Sequence, residues 1–318
     1  MRPYVREVGQ VAEPVGYQPD GADIHATGWH RVRVDGVSTS YTVSGEGPPV
    51  LFLHGWALGQ RTYSRSLATL AERGCRVYTP SLPGFGGSAP LPSSRRTLAG
   101  YAQWAETFVT ALGITEPLIV VGHSFGGGVA VGLAHRQPDA VRYLVLVNSV
   151  GGGSPGRSDR RPGYIGGRPL WSWALQFGRE LLPPEQGVRL VAGVWTDVAA
   201  NLVTNPVGVL EIGWLAARAD LTAELAELGR SGVPVLALRG HADGVVPLSA
   251  FQALCEAIGT EGCIVRGNHS FLLADPVAFG EAMGKVLSLS ATRRRRRSPA
   301  AVTTAHEIPL VQAGGATA

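Results

Sequence analysis

Leu118-Ile119-Val120-Val121-Gly122-His123-Ser124-Phe125-Gly126-Gly127-Gly128 decides the fold. Its first four residues form a continuous apolar run, as a strand buried on both faces requires. From Phe125 to Gln137 the pattern turns helical, and Pro138-Asp139 ends it. Between strand and helix stands Gly122-His123-Ser124-Phe125-Gly126, a G-x-S-x-G turn in the strand–turn–helix setting that a nucleophile elbow needs. Such a turn strains the serine backbone and lifts its Oγ above the sheet edge. Glycines two before and two after leave room for the strand and helix to approach. The N–H after the serine opens a helix, where it meets a developing negative charge. With 43 glycines in the chain, the pattern alone arises easily by chance; its setting gives it weight.

Outward from this centre, strands and helices alternate. Upstream, Trp29–Val34 and Val37–Val43 alternate around Asp35-Gly36, a hairpin signal. Val50–Leu53 is a second buried strand, followed by a helical pattern from Arg61 to Arg73 and a strand at Arg76–Thr79. A Gly- and Pro-rich loop spans Leu82–Ser94, and a helix spans Leu98–Leu112. Downstream come a strand at Tyr143–Val147, then a strand at Val233–Leu238, a helix at Leu248–Ile258, a strand at Cys263–Val265 and a helix at Pro276–Leu287. This is an α/β pattern, a mostly parallel sheet covered on both faces. The alternation breaks between residues 150 and 230, which read as helices entered through Gly151–Gly156 and seated as a cap. The expected organisation is an irregular lead-in (1–27), a core (28–149 and 231–290), a helical cap (150–230) and a disordered Arg-rich tail (291–318).

Composition narrows the function. Of 318 residues, 45% are hydrophobic and 16% charged, a globular balance. The net charge of +4 traces to Arg293–Arg297, so the body is neutral and no nucleic-acid surface is expected. The arginine run reads as a solvated tail. Three cysteines, Cys75, Cys255 and Cys263, show no metal spacing and no disulfide framework. No metal or cofactor is expected; the glycines at 84–87 and 126–128 lack the Lys-Ser/Thr of a phosphate loop. No apolar run reaches a membrane span and no signal peptide follows Met1–Gln10, so a cytoplasmic location is expected. Nothing indicates the oligomeric state.

A serine hydroxyl needs a base to take its proton and a carboxylate to stabilise the resulting imidazolium. His269 and Asp243 each lie on a loop after a strand, at the carboxyl edge where open α/β sheets place their sites. His241 lies two residues from Asp243, too near to stand between it and Ser124. His54 and His123 read as structural, His135 sits on a helix, and His25, His30 and His306 are peripheral. An oxyanion takes two donors, for which the N–H groups of Phe125 and of Trp56, in His54-Gly55-Trp56, are placed. Asp243 before Gly244 is also a common turn element.

On these residues, with Leu82-Pro83-Gly84-Phe85-Gly86-Gly87-Ser88 and Asp243-Gly244-Val245-Val246-Pro247 in order between them, the chain resembles the capped branch of the α/β-hydrolase superfamily from about Trp29 to Leu287. The resemblance implies an eight-stranded sheet with its second strand antiparallel, and a triad in the order Ser124, Asp243, His269. Ser81 stands where relatives often carry a structural acid. Asn148 stands where some carry the triad acid, which favours Asp243. Ser124 rather than Asp as nucleophile disfavours epoxide and halide chemistry. Expected is hydrolysis of an ester or similar acyl bond of a small apolar molecule through an acyl-enzyme. The alternatives are carbon–carbon bond hydrolysis, a cofactor-free lyase or perhydrolase, and a non-catalytic binding protein on the same scaffold. Trp56, Phe125, Trp171, Trp195 and Trp214 are the expected pocket residues, with Leu175 beside them. For the cap tryptophans, lining a pocket and filling the cap's own core remain open alternatives.

Overall fold

The computed structural model describes residues 28–153 and 188–296. Eight strands form one sheet in the order β1-β2-β4-β3-β5-β6-β7-β8. They are β1 Gly28–Val34, β2 Val37–Ser44, β3 Pro49–Leu53, β4 Arg76–Pro80, β5 Leu118–His123, β6 Val141–Val147, β7 Val235–Gly240 and β8 Cys263–Val265. Strand β2 runs antiparallel to both β1 and β4, and every pairing from β4 to β8 is parallel. The β1–β2 turn is Asp35-Gly36, with φ of 48° and 81°, the left-handed pair a two-residue hairpin requires.

The apolar strands serve two cores at once. Leu51, Leu53, Val120, Leu144 and Leu146 face one layer. It holds α2 (Leu98–Ala111), α3 (Phe125–Arg136), α6 (Thr222–Ser231) and α7 (Leu248–Ile258). Val50, Phe52, Ile119, Val121 and Val145 face the other, which holds α1 (Ser64–Glu72), α8 (Phe271–Ala274) and α9 (Pro276–Arg296). Successive side chains point to opposite faces, so a strand covered on both sides must be apolar throughout. That is why β3 and β5 read as unbroken runs. The helix expected from Arg61 begins instead as a 3-10 turn, Gln60–Tyr63, before α1.

Between β6 and β7 lie α4 (Val188–Thr204), α5 (Pro206–Ala217) and α6. The excursion is pinched at its neck: Gly151 and Gly152 bridge to Asp220, and Leu221 N–H donates to the Gly151 carbonyl at 2.8 Å. Helix α6 packs against α3 and α7. The boundary expected at residue 230 thus falls after α6, a helix that packs in the same layer as α3 and α7. Helix α9 is described as far as Arg296, six residues into the tail expected to be disordered; arginine is a good helix former. Among the described residues no single helix is long and apolar enough to cross a membrane, though Ala192–Thr204 and Pro206–Ala217 together, bent by 113°, reach that hydropathy.

Candidate active site

Ser124 sits between β5 and α3 with φ 53° and ψ −117°. A non-glycine residue rarely holds a positive φ, and such strain is typically retained where function uses it. The turn is locked: Ser124 N–H donates to the Val147 carbonyl at 3.0 Å, and the Ser124 carbonyl accepts from Gly127 (2.9 Å) and Val150 (3.2 Å). The glycines are steric necessities. A Cβ on Gly122 would lie 2.5 Å from the Gly126 carbonyl oxygen, and one on Gly126 would lie 2.2 Å from the Leu53 oxygen. Strand β3 and helix α3 can cross this closely only without side chains there. Phe125 is the first residue of α3, so its N–H has no acceptor within the helix.

His269 and Asp243 come together from separate loops. His269 Nδ1 donates to Asp243 Oδ2 at 3.0 Å, and both side chains are buried. Asp243 Oδ1 accepts from the N–H groups of Val245 (2.8 Å) and Val246 (2.9 Å). The carboxylate thus spends one oxygen on its own turn and the other on the imidazole, so the same group makes the turn contacts and the His269 contact. Burial raises the Asp243 carboxyl, but the charge of His269, its hydrogen bond and the two backbone bonds outweigh it. The group is held below its ordinary value. With Nδ1 donating, His269 Nε2 carries the lone pair, the state a general base needs.

Four further groups set this geometry; of these, sequence reasoning marked only His123, as structural, and Asn148, as standing where some relatives carry the acid. Asn148, with φ 46° at the end of β6, donates from Nδ2 to the His269 carbonyl (2.6 Å) and accepts the Gly240 N–H at Oδ1 (2.8 Å). It ties the His269 loop to β7. Gly55 N–H donates to Tyr63 Oη (3.1 Å), so the phenol proton goes to His123 Nδ1 (2.8 Å). That leaves His123 Nε2–H to donate to the His269 carbonyl (3.0 Å). This chain joins the His54-Gly55-Trp56 turn to His269, and the His123 and His269 ring centroids lie 5.0 Å apart. Burial, then the charge of His269, lowers His123 to about 3, so it stays neutral as the chain demands. Arg239 is buried and fans over the acid loop, donating to the carbonyls of Gly240 (2.9 Å), His241 (3.3 Å), Asp243 (2.8 Å) and Val246 (3.2 Å). An arginine ending an apolar strand was the one signal available for it.

His54 lies outside this chain of bonds. His54 accepts the Leu82 N–H at Nε2 (2.8 Å) and donates from Nδ1 to the Gly55 carbonyl (2.8 Å). Burial lowers it to about 4, the mark of a structural imidazole joining the ends of β3 and β4.

The expected pocket residues fare differently. The Phe125 side chain lies in the core, edge-on to Tyr101 at 5.2 Å, so only its N–H faces chemistry. The Trp56 indole is half-buried, and Nε1 donates to the Val209 carbonyl on α5 at 2.6 Å. Trp195 and Trp214 are 45% and 41% exposed. Trp214 stacks under Arg218 at 4.5 Å and borders a groove of about 490 Å³ with Leu98, Gly128 and Glu224. Trp195 on α4 and Trp214 on α5 are thus partly open to solvent, while α4 turns Val194, Asp197 and Asn201 inward. Trp171 and Leu175 lie outside the described residues. Among the described residues no three His, Cys, Asp or Glu side chains converge on a metal position.

A family model described as alpha/beta hydrolase fold matches residues 48–273. A candidate non-heme haloperoxidase of Mycobacterium phage D29 is 28% identical over 261 residues, covering 77% of this chain and 89% of its own. The 2-hydroxy-6-oxo-6-(2'-aminophenyl)hexa-2,4-dienoic acid hydrolase of Metapseudomonas resinovorans is 25% identical, covering 81% and 90%. Among solved structures, the esterase RhEst1 from Rhodococcus sp. ECU1013 superposes with a TM-score of 0.64 at 30% identity, over 81% of this chain and 97% of that one. Sheet order, crossing glycines, strained serine and family match agree, and the chain belongs to the alpha/beta hydrolase fold family.

Proposed function

We propose that this protein is a serine hydrolase that cleaves an ester or similar acyl bond of a small molecule. The observation that carries the reading is the buried His269–Asp243 hydrogen bond, tied through His123 to the turn that holds Ser124 at φ 53°. In this reading His269 Nε2 takes the Ser124 proton as Oγ attacks the acyl carbon. The oxyanion that forms is met by the N–H groups of Trp56 and Phe125. As the tetrahedral intermediate collapses, His269 returns the proton to the departing alcohol, leaving an acyl-Ser124. Water then repeats the sequence and releases a carboxylic acid. Asp243 holds the Nδ1–H tautomer and stabilises the imidazolium.

The excursion between β6 and β7 is the natural cover for this site. Helix α4 reaches the turn after β3 and the loop after β4, both at the carboxyl edge of the sheet. We assign residues 153–219 the role of a cap that sets substrate choice, in place of 150–230. Carbon–carbon bond hydrolysis by the same triad is the second reading, favoured by the dienoic acid hydrolase among the relatives.

A panel of p-nitrophenyl esters of increasing acyl length, run beside Ser124→Ala, tests the proposal. Saturable release of nitrophenol and free acid, lost in Ser124→Ala, is the expected result. Turnover that survives the substitution, or none on any ester while a dienoic acid is cleaved, overturns the ester reading.

A further inference from the structure

Helix α4 presents Asp197, Asn201 and the following Asn205 at intervals of four, one stripe along one face. This stripe points into the protein, while Leu202 and Val203 of the same helix are exposed. The inward face of α4 also carries Val194 and Val198, and polar side chains among them invite the question of what they hold.

They hold the two loops that flank the site. Asn201, only 4% exposed, donates from Nδ2 to the Ala57 carbonyl (2.9 Å) and accepts the Gly86 N–H at Oδ1 (3.0 Å). Asp197 Oδ2 accepts from Gly59 N–H (3.0 Å) and from the Thr62 hydroxyl (2.5 Å). Asn205 donates to the Gly84 carbonyl (3.1 Å) while capping α5 through Gly208 N–H. Ala57, immediately after the assigned oxyanion donor Trp56, has φ 58°. An alanine in the left-handed region is strained, so something must hold it. Beyond the core bonds on Gly55, the turn is held by Asn201 on the Ala57 carbonyl, Val209 on the Trp56 indole and Asp197 on the Gly59 N–H. All three come from the excursion.

We propose that Asn201, assisted by Asp197, is a positioning residue for the oxyanion turn: the donor amide of Trp56 is aimed by the inserted helix as well as by the core. The inference rests on the serine-hydrolase reading above. It makes seating of α4 and assembly of the oxyanion site one event. The glycines of the 84–87 loop fit the same picture, since a Cβ on Gly84 would lie 2.7 Å from Asn205 Nδ2.

The test compares Asn201→Asp with Asn205→Ala on the wild-type protein's best nitrophenyl ester. The aspartate keeps the size and the acceptor for Gly86 but puts an oxygen against the Ala57 carbonyl. Asn201→Asp is expected to lower kcat about 10- to 100-fold with KM changed less than about threefold. The rate of labelling by a fluorophosphonate should fall in parallel, because that reaction also develops an oxyanion. Asn205→Ala, which severs the Gly84 bond and the α5 cap but removes no bond to the Ala57 turn, is expected to keep kcat within about threefold. Should Asn201→Asp fold poorly, Asp197→Asn carries the test, with an expected kcat loss of about 3- to 10-fold. Near-wild-type kcat in the folded 201 or 197 variant overturns the proposal, as does an equal loss in Asn205→Ala. A wild-type protein that neither turns over esters nor takes the probe would overturn the hydrolase reading itself, a result distinct from either.

Discussion

Replacing Gly126 by alanine pits two effects of known sign against each other. In a helix interior, alanine is favoured over glycine by about 1 kcal/mol, so propensity alone predicts a more stable protein. The added Cβ, however, would sit 2.2 Å from the Leu53 carbonyl oxygen and 2.5 Å from that of His54. Both are backbone atoms at the end of β3, flanked by β4 and β5, and neither can swing aside. To restore ordinary contact, α3 must recede by about an ångström from a close-packed strand. Overpacking of this kind costs about 1–3 kcal/mol, and the rigid partners place it at the upper end. The expected net effect is a loss of about 2 kcal/mol. Retreat of α3 also carries Ser124 and the Phe125 N–H away from the His54-Gly55-Trp56 turn, and misplacement on that scale costs about 100-fold in rate. Urea unfolding followed by circular dichroism reads the first quantity, and ester kinetics the second. A Gly126→Ala protein at least as stable as the wild type, with unchanged kcat, would refute the reasoning.

Other outcomes follow from the same geometry. Arg239→Met removes a buried cation but strands the carbonyls it serves. Stability should fall by about 2–4 kcal/mol, with kcat lowered as the Asp243 loop loosens; unaltered urea midpoints would contradict this. Asp243→Asn keeps the shape of the site but allows the wrong His269 tautomer, and kcat should drop by about three to four orders of magnitude with little change in KM. Full activity there would move the acid role elsewhere. Burial holds His54 and His123 neutral, at about 4 and about 3 against an ordinary 6.5. The unfolded chain takes up these protons as pH falls through 6.5, while the folded chain does not until about 4 and 3. Stability is therefore full above pH 6.5 and declines toward pH 4, by about 1.4 kcal/mol per unit for each imidazole. Urea midpoints at pH 7.5, 6 and 5 read that slope, and a flat profile would exclude two neutral buried imidazoles.

The sheet was legible because its physics is local. Buried strands such as Val50–Leu53 must be apolar at every position, Asp35-Gly36 supplies two positive φ values, and the crossing of β3 with α3 demands glycine at 126. Helix Leu248–Ile258 and strand Cys263–Val265 fall where periodicity puts them. The site residues were legible for a related reason: the strained turn and the strand-end loops carry their own signatures. What escaped depends on distant partners. That α6 joins the core follows from Gly151 meeting Asp220, nearly seventy residues away. Whether the cap tryptophans line a pocket or fill the cap was not legible, because the inward face of α4 is set in part by Asp197 and Asn201 meeting backbone groups of two loops. Tyr63, Asn148 and Arg239 carry no motif; each matters only through a carbonyl or amide that the fold brings to it.

The central claim is that Ser124 is the nucleophile activated by His269, and covalent labelling tests it most directly. A fluorophosphonate probe followed by peptide mass mapping should place one adduct per chain on Ser124. The adduct should form far more slowly in His269→Ala and be absent in Ser124→Ala. An adduct of undiminished yield in Ser124→Ala, or mapped to another residue, would contradict the account.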